Sequence, residues 1–479
     1  MLQSWISEET IIMSTYTHDT YISPLTWRYG STAMRALFSE KHKRILLRKV
    51  WIALAQAQRD AKLVTSEQVA ELIAHKEDID IDRASKIEQE IHHDLMAEIR
   101  TYSEQCPKAG AIIHLGATSM DIEDNAEAMR LCEATDEIIA KTEKLLGLFI
   151  DKMEKYASTP CMAFTHIQPA EPTTIGYRFA QTAQDLISDL EDLRRIRSQI
   201  KGKGMKGAVG TSASYKELLA GTSVSSFDLE EKVMAKLGIK GFTATTQVYP
   251  RKQDLRISQA LSNLCSTLSQ FSLNFRILMS PPIGEWSEPF GKKQVGSSAM
   301  PFKRNPINCE KIDSLCRYVA AQSDILWQNN SSMLLERTLD DSANRRLVFP
   351  SIFLATDEIL ITEMKVVSGM VIHLQAVKRN MDTYGLFASS ERLLMELGRA
   401  GANRQDMHEL IREASLASWS AVQEGKPNPL AEKLSSNKTI LSYMSKEDVL
   451  SYLDANEYIG DAPQRTQMLI EEARKALTE

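Results

Sequence analysis

Gly296-Ser297-Ser298-Ala299-Met300-Pro301-Phe302-Lys303-Arg304-Asn305-Pro306, followed by Glu310, sets two adjacent serines, a lysine and an asparagine close together, with two prolines fixing the backbone between them. Proline locks φ and removes a backbone donor, so the stretch reads as a loop. Such a loop holds a hydroxyl beside a cation and an amide dipole. Those groups suit removal of a proton from carbon and stabilisation of the negative charge left behind. The competing reading is an ordinary proline-bounded surface loop.

Outward from this loop the punctuation thins. Ten of the 15 prolines fall at 160–172, 281–306 and 427–429, and none lies between Pro107 and Pro160 or between Pro172 and Pro250. Long helices need that absence. Helical periodicity fills the gaps: Leu261, Leu264, Leu268, Phe271, Phe275 and Leu278 alternate spacings of three and four, and Leu131, Ile138 and Leu145 lie seven apart, as do Ile139, Leu146 and Met153. Leu186, Leu190, Leu193 and Ile200 continue the pattern. Residues 352–374, with Val367, Met370, Val371 and Leu374, are apolar on most faces and predict a helix buried against several others. Period-two alternation is scarce. The expectation is an all-α chain in three helical domains. Residues 1–118 form the first, helical from about residue 18; residues 119–372 hold a central long-helix bundle; residues 373–479 form a third domain of shorter helices.

With 479 residues, 43% hydrophobic and 25% charged, the chain has the composition of a soluble globular protein. A net charge of −6 gives no general affinity for nucleic acid or anionic membranes. Cys106, Cys132, Cys161, Cys265, Cys309 and Cys316 lack C-x-x-C spacing and read as reduced thiols, not as a disulfide frame or a zinc site. Residues 1–17 contain no Arg or Lys, and no run of 18 apolar residues exists, so neither a targeting segment nor a membrane span is expected and the cytoplasm is the default.

Other segments carry candidate chemistry. His166, in Thr165-His166-Ile167-Gln168-Pro169, reads as an exposed imidazole able to exchange a proton near neutrality, or as a loop histidine bonded to backbone. In His92-His93-Asp94 the carboxylate could orient one imidazole; adjacent helical side chains diverge too far to share a metal, and the alternative is a solvated helix end. Gly202, Gly204 and Gly207 have dinucleotide-loop spacing but follow a helix instead of a strand, so no nicotinamide cofactor is expected and the stretch reads as a turn that brings backbone near the site. Arg337 to Arg346 packs three arginines, two aspartates and a serine into ten residues, which is either a solvated charged turn or a grip for carboxylate or phosphate. Arg28-Tyr29 offers another cation beside an aromatic ring.

The serine loop closely resembles the signature G-S-S-x-M-P-x-K-x-N-P of the fumarase/aspartase superfamily. From about Ser23 onward the chain resembles its adenylosuccinate lyase branch, in the animal-type form. The resemblance is carried by Ser23-Pro24-Leu25 with Arg28-Tyr29, His93-Asp94-Leu95-Met96-Ala97, His114 to Ser119, Thr165-His166, Glu336 to Arg346, and Arg404-Gln405-Asp406. It implies cofactor-free β-elimination of fumarate from adenylosuccinate, giving AMP, and from the succinylcarboxamide ribotide SAICAR, giving AICAR. It implies no metal. It also implies Ser297 as base, His166 as general acid and His93 as a catalytic group that positions substrate and balances charge. Lys303, Asn305 and Thr118-Ser119 would hold the succinyl carboxylates, and Gln247 the substrate's carboxyl or base region. Arg28, Tyr29, Arg337, Ser342 and Arg346 would meet phosphate and carboxylate, with His92, Asp94, Thr165 and Ser298 beside them. The family assembles as a homotetramer whose central helices form one bundle and whose sites draw on three chains. Residues 281–296, rich in glycine and proline, read as part of a lid.

The chain departs from the family pattern in three places: His92 replaces an arginine, Glu98 a second histidine, and Lys311 an arginine. The nearest rivals are other lyases of the superfamily (argininosuccinate lyase, fumarase, aspartase), whose substrates lack a phosphate, and a non-catalytic crystallin-like relative, against which intact Ser297, His166 and Lys303 stand.

Overall fold

The proline-poor stretches fold as long helices. The structure is a computed structural model that describes residues 19–478; the targeting reading of residues 1–17 lies outside the described residues. Among the described residues, six helices reach 25 residues or more: α1 (Ser119–Tyr156), α2 (Ile175–Gln199), α3 (Lys252–Met279), α4 (Ile307–Ser331), α5 (Asp340–Gly369) and α6 (Leu374–Arg399). The fold is all-α, with long helices forming a bundle-like core. Strands are short. β1 (Pro160–Thr165) and β2 (Gln168–Thr174) form an antiparallel hairpin, β3 (Lys201–Gly202) pairs in parallel with β4 (Lys240–Gly241), and β5 (Trp286–Ser287) pairs antiparallel with β6 (Val371–Ile372). None of the described helices is long and apolar enough to cross a membrane.

Two compact units divide the chain, and the boundaries fall inside α1 to α5. The first contains residues up to 141, 191–266 and 314–361; the second contains 142–190, 267–313 and 362 onward. In the first, the helix Glu40–Asp60 buries Leu46, Val50, Trp51 and Leu54 with Tyr102, Leu229 and Val233. Arg48 is fully buried there, lying 4.2 Å from the Tyr102 ring centroid and donating to Glu98 at 2.9 Å. Arg44 donates to the same carboxylate at 2.9 Å. Glu98 thus has a structural task where the family pattern has histidine: it neutralises two buried guanidinium groups. In the second unit, Phe149, Phe179, Phe271, Phe275 and Trp286 form an aromatic cluster, with Trp286 stacked on Phe179 at 5.0 Å. Offset and edge-to-face ring pairs of this kind add to the free energy of burying the rings themselves.

The helix expected over 352–374 ends at Gly369, and Val371 belongs to β6 instead. The apolar run continues past the helix into β6, where Val371 is exposed, and hydropathy alone does not register that change. Ile352, Phe353, Ile359, Leu360, Val366 and Val367 are buried within the single chain. Their apolarity therefore requires no neighbouring subunit.

Candidate active site

In the first unit the site begins at a joint between two helices. The helix Ile81–Ile91 ends at His92 in the left-handed conformation (φ 53°), and His93 is the N-cap of the helix Asp94–Gln105, its Nδ1 accepting the Met96 N–H at 3.4 Å. This is a sharp corner, and both imidazoles are exposed. Asp94 accepts from the Leu95 N–H at 2.8 Å and from Arg346 at 2.7 Å, so its carboxylate anchors that arginine; His93 Nδ1 is 3.8 Å away. Burial pushes the Asp94 carboxyl upward, but the Leu95 bond and the charges of Arg346 and Lys43 outweigh it and hold the group below its usual range.

His92, His93 and Asp94 line a cavity of about 660 Å³ together with Ser119, Gln247, Arg337, Ser342 and Arg346. Ser119, Glu123 and Glu127 lie four apart on α1, and Ser342 and Arg346 four apart on α5; each spacing puts its side chains on one helix face. Lys43, Arg130 and Arg345 add positive charge to the wall. Below it, Arg345 donates to Asp254 and to the Tyr249 hydroxyl, both at 2.8 Å. Arg251 links Asp124 and Asp341, and Arg337 donates to Asp341 at 2.6 Å. Within the arginine-rich block, then, Asp341 and Arg345 build the floor while Arg337, Ser342 and Arg346 face the space. Burial and Asp94 push the Glu123 carboxyl up to about 7, with Lys43 and Arg346 opposing. The cavity wall is thus mixed in charge: Lys43, Arg130, Arg337, Arg345 and Arg346 share it with Glu40, Glu88, Asp94, Glu123, Asp124 and Glu127, and the Glu123 carboxyl is poised near neutrality.

Asp121 fixes the edge of this cavity. Its buried carboxylate accepts the Thr118 N–H at 3.1 Å, the Lys203 ammonium at 2.6 Å, the N–H groups of Lys206 and Gly207, and the Tyr215 hydroxyl at 3.2 Å. Burial pulls the Lys203 ammonium below its usual range, with Asp121 opposing. The glycine-rich stretch 201–210 therefore wraps a carboxylate of its own chain and ties down the Thr118-Ser119 turn. Thr118 Oγ1 in turn accepts from Gln247 Nε2 at 3.0 Å.

In the second unit, His166 is at the tip of the β1–β2 hairpin. Thr165 pairs with Gln168, and His166 (φ 54°) and Ile167 (φ 61°) form the two-residue turn between them. Left-handed backbone at both turn positions favours Asn-Gly, and a β-branched residue adopts it only at a cost of about 1–2 kcal/mol. Thr165 and His166 are exposed. The serine loop runs from β5 to α4. Ser297 Oγ accepts the N–H groups of Ala299 at 3.3 Å and Met300 at 3.1 Å, so two backbone dipoles converge on this hydroxyl. At Gly296 a Cβ would come within 2.2 Å of the Lys303 carbonyl oxygen; the absence of a side chain lets the loop close on itself. Ser298 and Lys303 are exposed, and Asn305 is half-buried.

Arg28 and Tyr29, which follow the short helix Pro24–Trp27, do not line the 660 Å³ cavity, nor do Thr165, His166, Ser297, Ser298, Lys303 and Asn305. Arg28 is 5.7 Å from the Trp27 ring and 5.9 Å from the Tyr29 ring. Among the described residues, no group of three His, Cys, Asp or Glu side chains is placed to hold a metal ion.

A family model described as lyase matches residues 48–321, and one described as adenylosuccinate lyase C-terminus matches residues 385–469. The adenylosuccinate lyase of Schistosoma mansoni is 37% identical over 455 residues, covering 94% of each chain. That of Saccharomyces cerevisiae is 36% identical over 460 residues, covering 95% of each. The chain belongs to the adenylosuccinate lyase family. It is a lyase by that membership. A 3-carboxy-cis,cis-muconate lactonizing enzyme from Pseudomonas putida shares the fold, with a TM-score of 0.84 at 22% identity over 95% of this chain and 100% of that one. So does a fumarate lyase from Mesorhizobium, with a TM-score of 0.81 at 20% identity over 94% and 99%.

Within this adenylosuccinate lyase family member, the cavity walls include Lys43, Glu123, Glu127 and Arg130, which the sequence reading did not single out. The signal was present for three of them. Glu123, Glu127 and Arg130 continue the stripe that Ser119 begins, but α1 was read for its apolar face. Lys43 had no such signal, being one charge among several on an exposed helix start.

Proposed function

We propose that the chain is an adenylosuccinate lyase, eliminating fumarate without a cofactor from adenylosuccinate to give AMP and from SAICAR to give AICAR. The observation that carries this reading is the cavity in which Lys43, Arg337 and Arg346 stand with His93, Ser119 and Gln247, carboxylates such as Asp94 and Glu123 sharing the wall. A phosphate and a succinyl group are met by guanidinium and ammonium groups such as these, whereas argininosuccinate, malate and aspartate carry no phosphate.

In the proposed reaction, Ser297 takes a proton from the succinyl carbon next to a carboxylate. The C–N bond breaks as the new C=C bond forms, and His166 gives a proton to the departing nitrogen. A serine hydroxyl is a weak base precursor, and the Ala299 and Met300 N–H groups at its Oγ favour the anionic oxygen it must become. Lys303, Asn305, Thr118 and Ser119 hold the succinyl carboxylates. His93 and Arg346, the latter steered by Asp94, serve the phosphate side with Arg28, Tyr29, Arg337 and Ser342. Gln247, His92, Thr165 and Ser298 complete the contacts.

The same reading makes the enzyme a homotetramer whose sites combine residues of different chains. Trp327, Leu334, Leu335, Leu339 and Leu347 are more than half exposed on the single chain, and exposed large apolar side chains so close together in the chain favour subunit association. It keeps the divisions at 118 and 372, supported by the start of α1 at Ser119 and by His373 ahead of α6. All six cysteines are buried and free, which supports a reducing compartment such as the cytoplasm.

The test is to incubate the enzyme separately with adenylosuccinate, SAICAR, argininosuccinate and malate, following absorbance and identifying products. AMP or AICAR with equimolar fumarate is the expected outcome. Turnover of argininosuccinate or malate instead, or of none of the four, overturns the reading.

A further inference from the structure

Glu288 lies between β5 and the serine loop and is 5% exposed. Its oxygens accept the Asn308 N–H at 3.2 Å, the Asn308 Nδ2 at 2.6 Å and the Cys309 N–H at 2.8 Å. Asn308 and Cys309 belong to the first turn of α4, whose N–H groups have no partner within the helix. Their cap ordinarily comes from the residue just ahead of the helix. Here it comes from the far side of the loop 289–306, so one carboxylate holds both stems of the segment that carries Ser297, Lys303 and Asn305.

The entry stem is itself immobilised. Trp286 is buried in the aromatic cluster, Trp286 and Ser287 pair with Ile372 and Val371, and the Ser287 hydroxyl lies 2.9 Å from His373 Nε2. Pro289 packs on Gly369, where a Cβ would meet the Pro289 Cβ at 2.8 Å. Glu288 passes that rigidity to the exit stem, and a negative charge at a helix N-terminus strengthens the link. Between the stems, residues 291–304 are mostly exposed and hold themselves by short local bonds such as those at Ser297.

From this arrangement we infer that Glu288 is a positioning residue for the lyase reaction: it closes the stems of the loop so that Ser297, Lys303 and Asn305 are presented together. The inference rests on the reading of that loop as catalytic. Glu288 acts through the loop and touches no substrate. Loosening it lowers the fraction of enzyme with a competent loop, which weakens apparent substrate affinity by that fraction and leaves the chemistry of the closed complex intact.

The experiment uses the full-length enzyme and adenylosuccinate. Glu288→Ala, Glu288→Gln and Asn308→Ala are assayed beside Ser297→Ala, with hydrogen exchange measured with and without AMP plus fumarate. Glu288→Ala is expected to raise KM about 5- to 30-fold, the scale of a lost helix cap, with kcat changed less than about threefold. Exchange over 291–304 should quicken while α3 keeps wild-type protection. Glu288→Gln retains one acceptor oxygen and should fall between. If Glu288→Ala does not fold, Asn308→Ala, which removes one of the three bonds, carries the test in the same direction. A KM and loop exchange that stay at wild-type values, or protection lost only within α4, overturn the inference. The Ser297→Ala arm is separate: if it keeps full kcat, the catalytic reading of the loop fails, whatever Glu288 does. If it is inactive and the Glu288 and Asn308 variants are neutral, that reading stands and the inference falls.

Discussion

Arg178 donates to Glu285 at 2.8 Å and, through its other terminal nitrogen, to the Met162 carbonyl at 2.5 Å, tying the hairpin that carries His166 to the segment that enters the serine loop. Glu285 is fully buried, and its second oxygen accepts from Asn380 at 3.0 Å. Removing one partner of such a pair leaves a charge uncompensated, whereas removing both does not. Glu285→Ala is expected to lower the unfolding free energy by about 3–5 kcal/mol. Arg178→Met added to it should recover a substantial part of that loss. Urea unfolding of both variants checks this, and a double variant no more stable than Glu285→Ala alone means the two groups are not coupled.

Glu363 gives the protein a pH-dependent stability of definite sign. It lies on α5, with Ser272 donating to its Oε2 at 3.1 Å, and its Oε1 has no hydrogen-bond partner among the described residues. Burial pushes its carboxyl up to about 8, Asp313 and Glu288 adding and the Ser272 bond opposing. The native chain therefore keeps a proton on Glu363 that the unfolded chain releases near the ordinary glutamate value of about 4.3. Between those two values the native state binds more protons than the unfolded state, so this contribution is full below the lower value. It declines as pH rises, by up to about 1.4 kcal/mol per pH unit. Glu363→Gln removes the titration. Unfolding midpoints at pH 5, 7 and 8.5 should show the variant gaining on the wild type as pH rises, and parallel curves would count against a protonated Glu363.

The proposed acid and base are in exposed segments outside the apolar cores, so their loss should cost activity and little stability. His166→Ala and Ser297→Ala are each expected to lower kcat by about 10²–10⁴-fold, the scale of a lost acid–base group, with unchanged thermal unfolding. Wild-type turnover in either variant rejects that assignment. Activity lost together with the folded state makes the residue structural.

What the sequence made legible was whatever repeats along one helix. The stripe Leu261, Leu264, Leu268, Phe271, Phe275 and Leu278 is buried along α3, because three-and-four spacing and a core-facing side are the same geometric fact. The serine loop was legible because its residue types are chemically unusual side by side. The hairpin under His166 was not. A register shift between Met162 and Phe164 breaks the period-two pattern, and Thr-His-Ile-Gln lacks the Asn-Gly that marks such a turn. Nor was the part played by Glu288, whose partners are 20 and 21 residues away and reached only once β5 and α4 are in place. Asp121 was hidden for the same reason: all its donors but the Thr118 N–H lie more than 80 positions ahead, most of them on a stretch whose glycines suggested a ligand.

The proposed sharing of active sites leads to the last prediction. His166 and Ser297 are in the second unit, while the cavity with His93, Gln247 and Arg346 is in the first. In the proposed tetramer, different chains complete each other's sites, with the exposed apolar side chains from Trp327 to Leu347 as candidate contacts. His166→Ala and Ser297→Ala enzymes, each inactive alone, should then regain activity when mixed, dissociated and reassembled. If the two residues of a site come from different chains, random assembly of an equal mixture leaves about a quarter of sites with both intact. Recovery should approach that fraction of wild-type turnover. Native mass spectrometry reports whether hybrids have formed. Hybrids without recovered activity exclude a site that draws His166 and Ser297 from different chains, and a monomer that is active at assay concentration excludes sharing altogether.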